Sequence, residues 1–207
     1  MIISHSKRFI FFAVPKTATH AVRQVLRTHM EEGDWEQQML FGKQALPIPE
    51  LAALGHGHLN VAEVQPHLPA EQWHGYTKIA FVRNPYDRFI SVCAFLNRDN
   101  PGFKENSINW MKAALNRPQF RSRLLVRPQY LQLKGTDGQS AMDEIGRYED
   151  LQSSLDRILA SLGLDSVQLE VVNRSEHAHY QQSYDDELRE MVRQYYAQDL
   201  AVFDYQF

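Results

Sequence analysis

Residues 9–20 read FIFFAVPKTATH, and this stretch decides the fold. From Phe9 to Val14 every residue is apolar and Pro15 closes the run, which is the pattern of a strand buried on both faces in a parallel sheet. Apolar residues then recur at i, i+3, i+4 and i+8 from Val22, as on the buried face of a helix. The stretch therefore predicts a strand, a tight loop and a helix in succession.

A second unit of the same kind begins at residues 76–82, which read YTKIAFV. The chain then passes through Arg83, Asn84 and Pro85 into a helix whose apolar stripe starts at Phe89. Asn84 suits the N-cap and Pro85 the first helical position. Two strands that each feed a helix, with a long connection between them, predict a three-layer α/β fold. Its central, mostly parallel sheet would be flanked by helices and joined by right-handed crossovers.

Size and composition favour one domain over residues 1–207, although two small domains would also fit. The 207 residues are 43% hydrophobic and 23% charged, enough for a compact core without disulfides or metals. The net charge of −3 supplies no broad positive field, so neither nucleic acid nor an anionic membrane is an expected partner. The single cysteine, Cys93, forbids an intrachain disulfide and fits a reducing compartment. Its apolar neighbours at helical spacing favour a packing role.

Targeting signals are not evident in the chain. Residues 1–8 are mostly polar and the apolar run that follows is short, unlike a signal peptide. No segment approaches the apolar length needed to cross a bilayer. The expectation is a cytoplasmic protein without a membrane span.

The loop at residues 14–20, VPKTATH, is the first candidate site. A loop between a buried strand and a helix aims backbone N–H groups at one point, and the helix dipole adds positive potential, so an anion can bind there. Side-chain donors would come from Lys16, Thr17, Thr19 and His20. A plain turn with an exposed lysine and a threonine N-cap would read the same, so this segment alone leaves both interpretations open.

The loop differs from the one that binds nucleoside triphosphates. That pattern, G-x-x-x-x-G-K-[ST], places lysine at the end of the loop and a hydroxyl on magnesium. Here Lys16 comes at the start, and the loop has no glycine. No acidic residue ends the run from Ile79 to Val82 to hold magnesium. An ATP- and magnesium-dependent small-molecule kinase is therefore the weaker alternative.

Two segments resemble the donor-binding motifs of sulfotransferases. Residues 15–19, PKTAT, resemble the 5′-phosphosulfate loop of that family. Residues 81–91, FVRNPYDRFIS, resemble its 3′-phosphate segment, with Arg83 and Ser91 at the characteristic separation. Further matches, spread over nearly the whole chain, are residues 127–129, 145–151 and 173–175. The chain is most similar to the carbohydrate sulfotransferases of the Golgi 2-O and chondroitin type and their soluble bacterial relatives. The Golgi enzymes carry a membrane anchor, and no segment of this sequence has the length of one. A bacterial, cytosolic member of the family is therefore expected.

The resemblance implies a P-loop-type fold and 3′-phosphoadenosine 5′-phosphosulfate (PAPS) as co-substrate, with no metal. The residues that would bind the 5′-phosphosulfate are Lys16, Thr17, Ala18, Thr19 and His20. Arg83 and Ser91 would bind the 3′-phosphate, and Arg174 and Ser175 match a loop that closes over the nucleotide. Ala18 stands where most sulfotransferases carry glycine, although the 2-O-type relatives also have alanine. His20 replaces a usual serine or threonine.

The chemistry of these residues agrees with sulfuryl transfer. The transferred group moves in line between two oxygens, so the protein mainly positions reactants and stabilises charge on the departing phosphate, a role that suits Lys16. The planar fork of Arg83 suits a second phosphate, and Ser91, two turns into the helix, can donate a hydroxyl to the same group. Alternatively, Arg83 forms a salt bridge at a strand end and Ser91 is a neutral surface residue.

The attacking alcohol must lose a proton, and residues 55–59, GHGHL, contain the candidate bases. Histidine titrates near neutral pH and is the commonest general base. The segment resembles the His-Gly-His stretch of the 2-O-sulfotransferases, whose second histidine is the base, so His58 is the predicted base and His56 is auxiliary. With nine histidines in the chain, a solvated pair in a glycine-rich loop would look the same. No third ligand cluster accompanies the pair, so a metal site is not predicted.

The acceptor is a hydroxyl compound and, by resemblance alone, a saccharide. A predicted basic rim around its site consists of Arg98, Arg117, Arg121, Arg123 and Arg127. The rim could equally be a solvated face, and Arg127 and Gln129 could either face the acceptor or brace the fold. A further alternative is a nucleotide-binding protein that has kept the pocket and lost catalysis.

Overall fold

The computed structural model of the chain describes residues 1–39, 43–169 and 180–207. Backbone contacts divide the chain into two compact units. The first unit comprises Met1–Val82 and Leu131–Val172, and the second comprises Arg83–Tyr130 and Asn173–Phe207. The single domain over residues 1–207 stays a prediction.

A five-stranded sheet forms the centre of the first unit within the described residues. Its strands are β1 (Ile2–Ser4), β2 (Phe9–Phe12), β3 (Trp35–Glu36), β4 (Thr77–Val82) and β5 (Glu144–Arg147). They lie in the order β3-β1-β2-β4-β5. β4 pairs in parallel with both β2 and β5, whereas β1 pairs antiparallel with β2 and β3. The predicted α/β fold is confirmed, with two antiparallel strands at one edge that the sequence patterns had not indicated.

Helices follow β2 and β4, as the sequence patterns predicted. In chain order they are α1 (Thr19–Thr28), α2 (Pro49–Ala52), α3 (Val61–Val64), α4 (Ala70–Gly75), α5 (Pro85–Leu96), α6 (Ser107–Leu115), α7 (Pro118–Arg121), α8 (Gln129–Leu133), α9 (Leu151–Ser161), α10 (Asp186–Tyr195) and α11 (Ala197–Val202). Asn84 is the N-cap of α5, its side chain accepting the N–H of Tyr86, and Pro85 is the first helical residue, as expected.

The sheet of the first unit is covered by α1 and α9. Phe11 and Ile79 face each other across the parallel β2–β4 pair, and both are fully buried. They belong to one apolar cluster with Leu26 of α1 and Leu155 of α9. Each Å² of apolar surface that this cluster removes from water stabilises the fold by about 25 cal/mol. Because β2 and β4 are parallel neighbours, their carboxyl ends lie at the same edge of the sheet, where ligands of open α/β sheets bind.

The second unit is helical and has a core of its own. Phe89 of α5, Met111 of α6 and Val192 of α10 belong to this buried cluster. Cys93 lies in the same cluster, fully buried, and burial raises the pKa of its thiol. A buried thiol that resists ionisation is a poor nucleophile, in keeping with the packing role expected of Cys93. In neither unit does any described helix combine the length and apolarity needed to cross a membrane.

Candidate functional site

The loop after β2 has an unusual backbone. Lys16 and Ala18 both adopt left-handed conformations, with φ values of 68° and 60°. Ala18 is the N-cap of α1, and no side chain caps that helix, so the threonine N-cap alternative is not what the structure has. The first N–H groups of a helix have no intrahelical partner, and the helix dipole concentrates positive potential around them. The loop therefore has the backbone expected of an anion-binding turn.

The side chains of the loop differ in what they can offer a ligand. Thr17 is fully buried, and its hydroxyl donates to the carbonyl of Val14 at 2.9 Å. Thr17 therefore holds the loop in shape and would meet a ligand through its main chain. Lys16 is partly exposed, as are Thr19 and His20, the first two residues of α1. These three side chains remain the ones that can reach an anion.

Replacing Ala18 by glycine should not destabilise the protein. A left-handed conformation costs a residue with a Cβ atom about 1–2 kcal/mol, and glycine escapes that cost. Its own entropic penalty of about 0.5–1 kcal/mol offsets part of the gain. We expect Ala18→Gly to leave the free energy of unfolding by urea equal or slightly higher. The matched change in an exposed helical position, Ala113→Gly in α6, should lower it by about 1 kcal/mol. Equal losses in the two variants would contradict the observed backbone.

His58 lies beside this loop, and its tautomer follows from one contact. Its Nδ1 atom is 2.7 Å from the carbonyl oxygen of Ala13. A carbonyl oxygen only accepts hydrogen bonds, so Nδ1 carries the proton and Nε2 carries the lone pair. Burial lowers the pKa of His58 to about 4, aided by nearby positive charge such as that of Arg23, and the bond to Ala13 only partly opposes this. At neutral pH His58 is therefore an uncharged imidazole with an unprotonated Nε2.

The titration of His58 tests this description. In the ligand-free protein we expect an NMR midpoint near pH 4 for His58, below the ordinary 6.5 of histidine. Stability follows the same shift. Because the unfolded chain takes up the proton first, the contribution of His58 is complete above about pH 6.5 and is lost as the pH falls toward 4. Ring-proton signals, identified by their absence in His58→Asn, give the midpoint. A midpoint of 6.5 would contradict a neutral, partly buried imidazole.

Three residues support the segment that carries His58. Gln132 donates its side-chain amide to the carbonyls of Ala13 and Leu59, at 3.1 and 3.0 Å. Arg23, only 5% exposed, donates to the carbonyl of Gly57 at 3.0 Å. A Cβ atom on Gly57 would lie 2.2 Å from the carbonyl oxygen of Gln37, so only glycine fits between the two histidines. The sequence patterns had given neither Arg23 nor Gln132 a role in the site.

Arg23 owes its burial to a compensating carboxylate. It donates to Glu36 at 2.7 Å, and Arg27 donates to both oxygens of the same carboxylate. Burial alone would raise the pKa of Glu36, but the bonds from the two arginines leave it lowered. A buried charge is tolerated when paired and fully hydrogen-bonded, as here. The cluster ties α1 to β3 and to the segment before His58.

His56 precedes the glycine and is partly exposed. Its main-chain carbonyl accepts the side-chain amide of Gln37 at 2.9 Å. The positive charge of a protonated His56 acts to lower the pKa of His58. An auxiliary role for His56 stays a prediction.

In the second unit, Arg83 is the arginine predicted to bind the 3′-phosphate. It is 4% exposed, and its Nε donates to the carboxylate of Asp87, one helical turn ahead, at 2.7 Å. The salt bridge offered as an alternative interpretation therefore exists. The salt bridge uses the Nε atom of Arg83, and this contact would orient the guanidinium group for a ligand. Ser91 lies further along α5 and is 8% exposed.

Gln129 braces the fold at Arg83, which decides between the two roles left open for it. The residue is 1% exposed, and both ends of its side-chain amide are bonded to the main chain of Arg83. Arg127 is exposed, and its Nε donates to the carbonyl of Ser122 at 2.9 Å. No periodic pattern points to Gln129, although the segment at residues 127–129 had been singled out by resemblance.

Other predicted residues fall outside this geometry. Arg174 and Ser175 lie outside the described residues. Arg98 of the predicted basic rim pairs with Asp99 and covers the ring of Phe95. Among residues 1–39, 43–169 and 180–207, no group of three or more His, Cys, Asp or Glu side chains could hold a metal ion.

Comparison with known proteins shows which family this architecture represents. The chain belongs to the sulfotransferase family, whose sequence profile matches residues 1–206. Among solved structures it is similar to the crystal structure of a sulfotransferase from Alicyclobacillus acidocaldarius, with 17% identity and a TM-score of 0.48. That alignment covers 94% of this chain and 93% of the other. No curated protein matches the sequence. Family membership makes the chain, in general terms, an enzyme that transfers sulfate.

Proposed function

We propose that this enzyme transfers a sulfuryl group from PAPS to a hydroxyl group of a saccharide. One observation carries the proposal: the loop at residues 14–20 and the candidate base, His58, are hydrogen-bonded to adjacent carbonyls at the end of β2. Thr17 of the loop donates to Val14, and His58 donates to Ala13. Ala13 and Val14 thus bind two neighbouring elements: the loop that can hold the donor and the histidine that can activate the acceptor.

The proposed donor site has two parts. The 5′-phosphosulfate is bound by the start of α1 with Lys16, Thr17, Ala18, Thr19 and His20. Arg83 and Ser91 bind the 3′-phosphate, and Arg174 and Ser175 close over the nucleotide. Support comes from the left-handed backbone at Lys16 and Ala18 and from the braced guanidinium of Arg83. A bidentate arginine contact is among the strongest ways of recognising a phosphate.

The proposed reaction is an in-line displacement at sulfur. The acceptor oxygen forms a bond to sulfur while the bond from sulfur to the bridging 5′-phosphate oxygen breaks. His58 Nε2 takes the hydroxyl proton, and the products are a sulfate ester and adenosine 3′,5′-bisphosphate. Lys16 stabilises the negative charge that grows on the departing phosphate, so the mechanism needs no metal.

The low pKa of His58 fits this role in two stages. In the ligand-free enzyme the imidazole stays neutral, so the lone pair on Nε2 is available whenever a donor arrives. A nearby anion favours the protonated form of histidine and raises its pKa. Donor binding therefore strengthens the base when it is needed, since a general base works best with a pKa near the operating pH.

A saccharide with negative charges is the acceptor that the surface of the second unit favours. Residues 106–136 contain no acidic side chain. Four exposed arginines lie in this segment: Arg117, Arg121, Arg123 and Arg127. None of the four forms an ion pair with a carboxylate of the described residues. Uncompensated positive charge on an otherwise acidic protein attracts anionic ligands.

We also propose a cytoplasmic location in a bacterium, on the basis of the resemblance to soluble bacterial members.

Transfer of label from ³⁵S-PAPS to oligosaccharides tests the proposal. We expect label on acidic oligosaccharides in preference to neutral ones, one adenosine 3′,5′-bisphosphate per sulfate ester, and full activity in EDTA. Tight bisphosphate binding without transfer to any hydroxyl would favour the non-catalytic nucleotide-binding protein. Phosphate transfer from ATP that requires magnesium would contradict the proposal and favour a kinase.

A further inference from the structure

The side-chain amide of Gln129 forms two hydrogen bonds to the main chain of Arg83, as a neighbouring β-strand would. Its Oε1 accepts the main-chain N–H of Arg83 at 3.0 Å, and its Nε2 donates to the carbonyl of Arg83 at 2.9 Å. Both polar main-chain groups of one residue are thus satisfied by a single buried amide, 46 positions away in sequence. Buried main-chain groups rarely go unpaired, so this contact fixes the backbone from which the guanidinium extends.

Gln129 is itself held by a buried carboxylate. Asp199 is fully buried, and its two oxygens accept the main-chain N–H groups of Gln129 and Tyr130, both at 2.8 Å. One of these oxygens is also 3.4 Å from the Gln129 amide nitrogen. Burial raises the pKa of Asp199, while the charge of Arg88 and these hydrogen bonds act to lower it. The start of α8 is therefore anchored at both its main chain and its side chain.

The preceding segment is fixed by Arg88 of α5. Arg88 is 1% exposed, and its Nη2 donates to the carbonyls of Leu125 and Arg127 at 2.9 and 3.0 Å. With Asp199, this arginine determines where Gln129 lies. A planar guanidinium binds phosphate well only within about 0.5 Å and 10–20° of its productive position. The salt bridge to Asp87 orients the side chain of Arg83, and Gln129 fixes the backbone of Arg83.

We propose that Gln129 is a positioning residue for the 3′-phosphate, acting through the main chain of Arg83 and held in turn by Asp199. The proposal rests on the proposed function, since it takes Arg83 as the 3′-phosphate ligand. Gln129 itself does not touch the nucleotide. Its contribution is selectivity for a nucleotide that carries a 3′-phosphate.

Two calorimetric affinities separate positioning from simple packing. Adenosine 3′,5′-bisphosphate reports on the 3′-phosphate, and 5′-AMP reports on the rest of the site. At metal sites, loss of an outer residue that orients a ligand group typically costs about 10–100-fold in affinity, and the same scale is expected for a residue that orients an arginine. We expect Gln129→Met to weaken bisphosphate binding about tenfold while 5′-AMP binding stays unchanged. Gln129→Glu, which keeps an acceptor for the N–H but repels the Arg83 carbonyl, should reduce selectivity in the same direction and serves if the methionine variant does not fold.

A matched buried amide and a double variant complete the test. Asn97 is 8% exposed and donates to the carbonyl of Cys93 in the same unit, so Asn97→Leu removes a comparable bond away from Arg83. That variant should keep the wild-type ratio of the two affinities. In Arg83→Ala, adding Gln129→Met should cost no further bisphosphate affinity, because the group being positioned is gone.

The outcomes are distinguishable. Wild-type protein that binds the two nucleotides equally would overturn the proposed function. Wild-type selectivity that survives in both Gln129 variants would overturn the positioning role and leave the proposed function intact. Equal weakening of both nucleotides by Gln129→Met would also overturn it, since that result indicates general loss of structure.

Discussion

Arg83→Ala should weaken the binding of adenosine 3′,5′-bisphosphate about 100-fold and leave 5′-AMP unaffected. A hydrogen bond to a charged group contributes about 1.5–3 kcal/mol, and the fork of an arginine makes two of them to one phosphate. A loss of about 3 kcal/mol corresponds to that factor in affinity. Calorimetric titration of both nucleotides into wild type and variant measures the effect directly.

Two further variants show whether the geometry of Arg83 matters. Arg83→Lys keeps the charge and loses the fork, so its affinity should lie between those of wild type and Arg83→Ala. Arg189→Ala removes an exposed arginine of the same unit that pairs with Asp186, and it should bind both nucleotides as the wild type does. If Arg83→Ala kept its affinity for the bisphosphate, Arg83 would be only a partner of Asp87.

His58→Asn should lower kcat about a thousandfold, within the range of about 10²–10⁴ that general base catalysis contributes. The asparagine amide can still donate to the carbonyl of Ala13, as Nδ1 of His58 does, so the segment keeps its anchor. What the variant loses is the lone pair at the position of Nε2. Single-turnover transfer from PAPS, compared with bisphosphate affinity, separates loss of the base from loss of the donor site.

The control is an exposed histidine of the same unit that has no predicted role in the site. His67→Ala meets that description and should keep the wild-type rate. Bisphosphate affinity should be the same in His58→Asn, His67→Ala and the wild type. A His58→Asn enzyme with undiminished kcat would exclude His58 as the base.

The strands and helices that carry the candidate site were predictable because each has a strong local pattern. The apolar run before Pro15 and the run ending at Val82 became β2 and β4, and Asn84 caps α5 as its position indicated. β1 spans only Ile2–Ser4 and pairs with β2 in a hairpin, and three residues are too few to show a periodic pattern. The short antiparallel strands on one side of the sheet were therefore not predicted from the sequence.

The support of the site was harder to foresee than its principal residues. Lys16, His58 and Arg83 were predicted because their residue types suit the chemistry and their segments resemble sulfotransferase motifs. Gln129 acts through the main chain of a residue far away in sequence, and Arg23 is buried only because Glu36 compensates its charge. Such contacts depend on tertiary structure rather than on spacing, so no pattern in the sequence indicates them.

The most direct test of the account is the nucleotide preference of the wild-type enzyme, measured by titration with adenosine 3′,5′-bisphosphate, 5′-AMP and Mg·ATP. A PAPS-dependent sulfotransferase should bind the bisphosphate with micromolar affinity, at least about tenfold tighter than 5′-AMP, whether or not magnesium is present. Indifference to the 3′-phosphate, or a preference for Mg·ATP, would contradict the proposed donor and with it the proposed reaction.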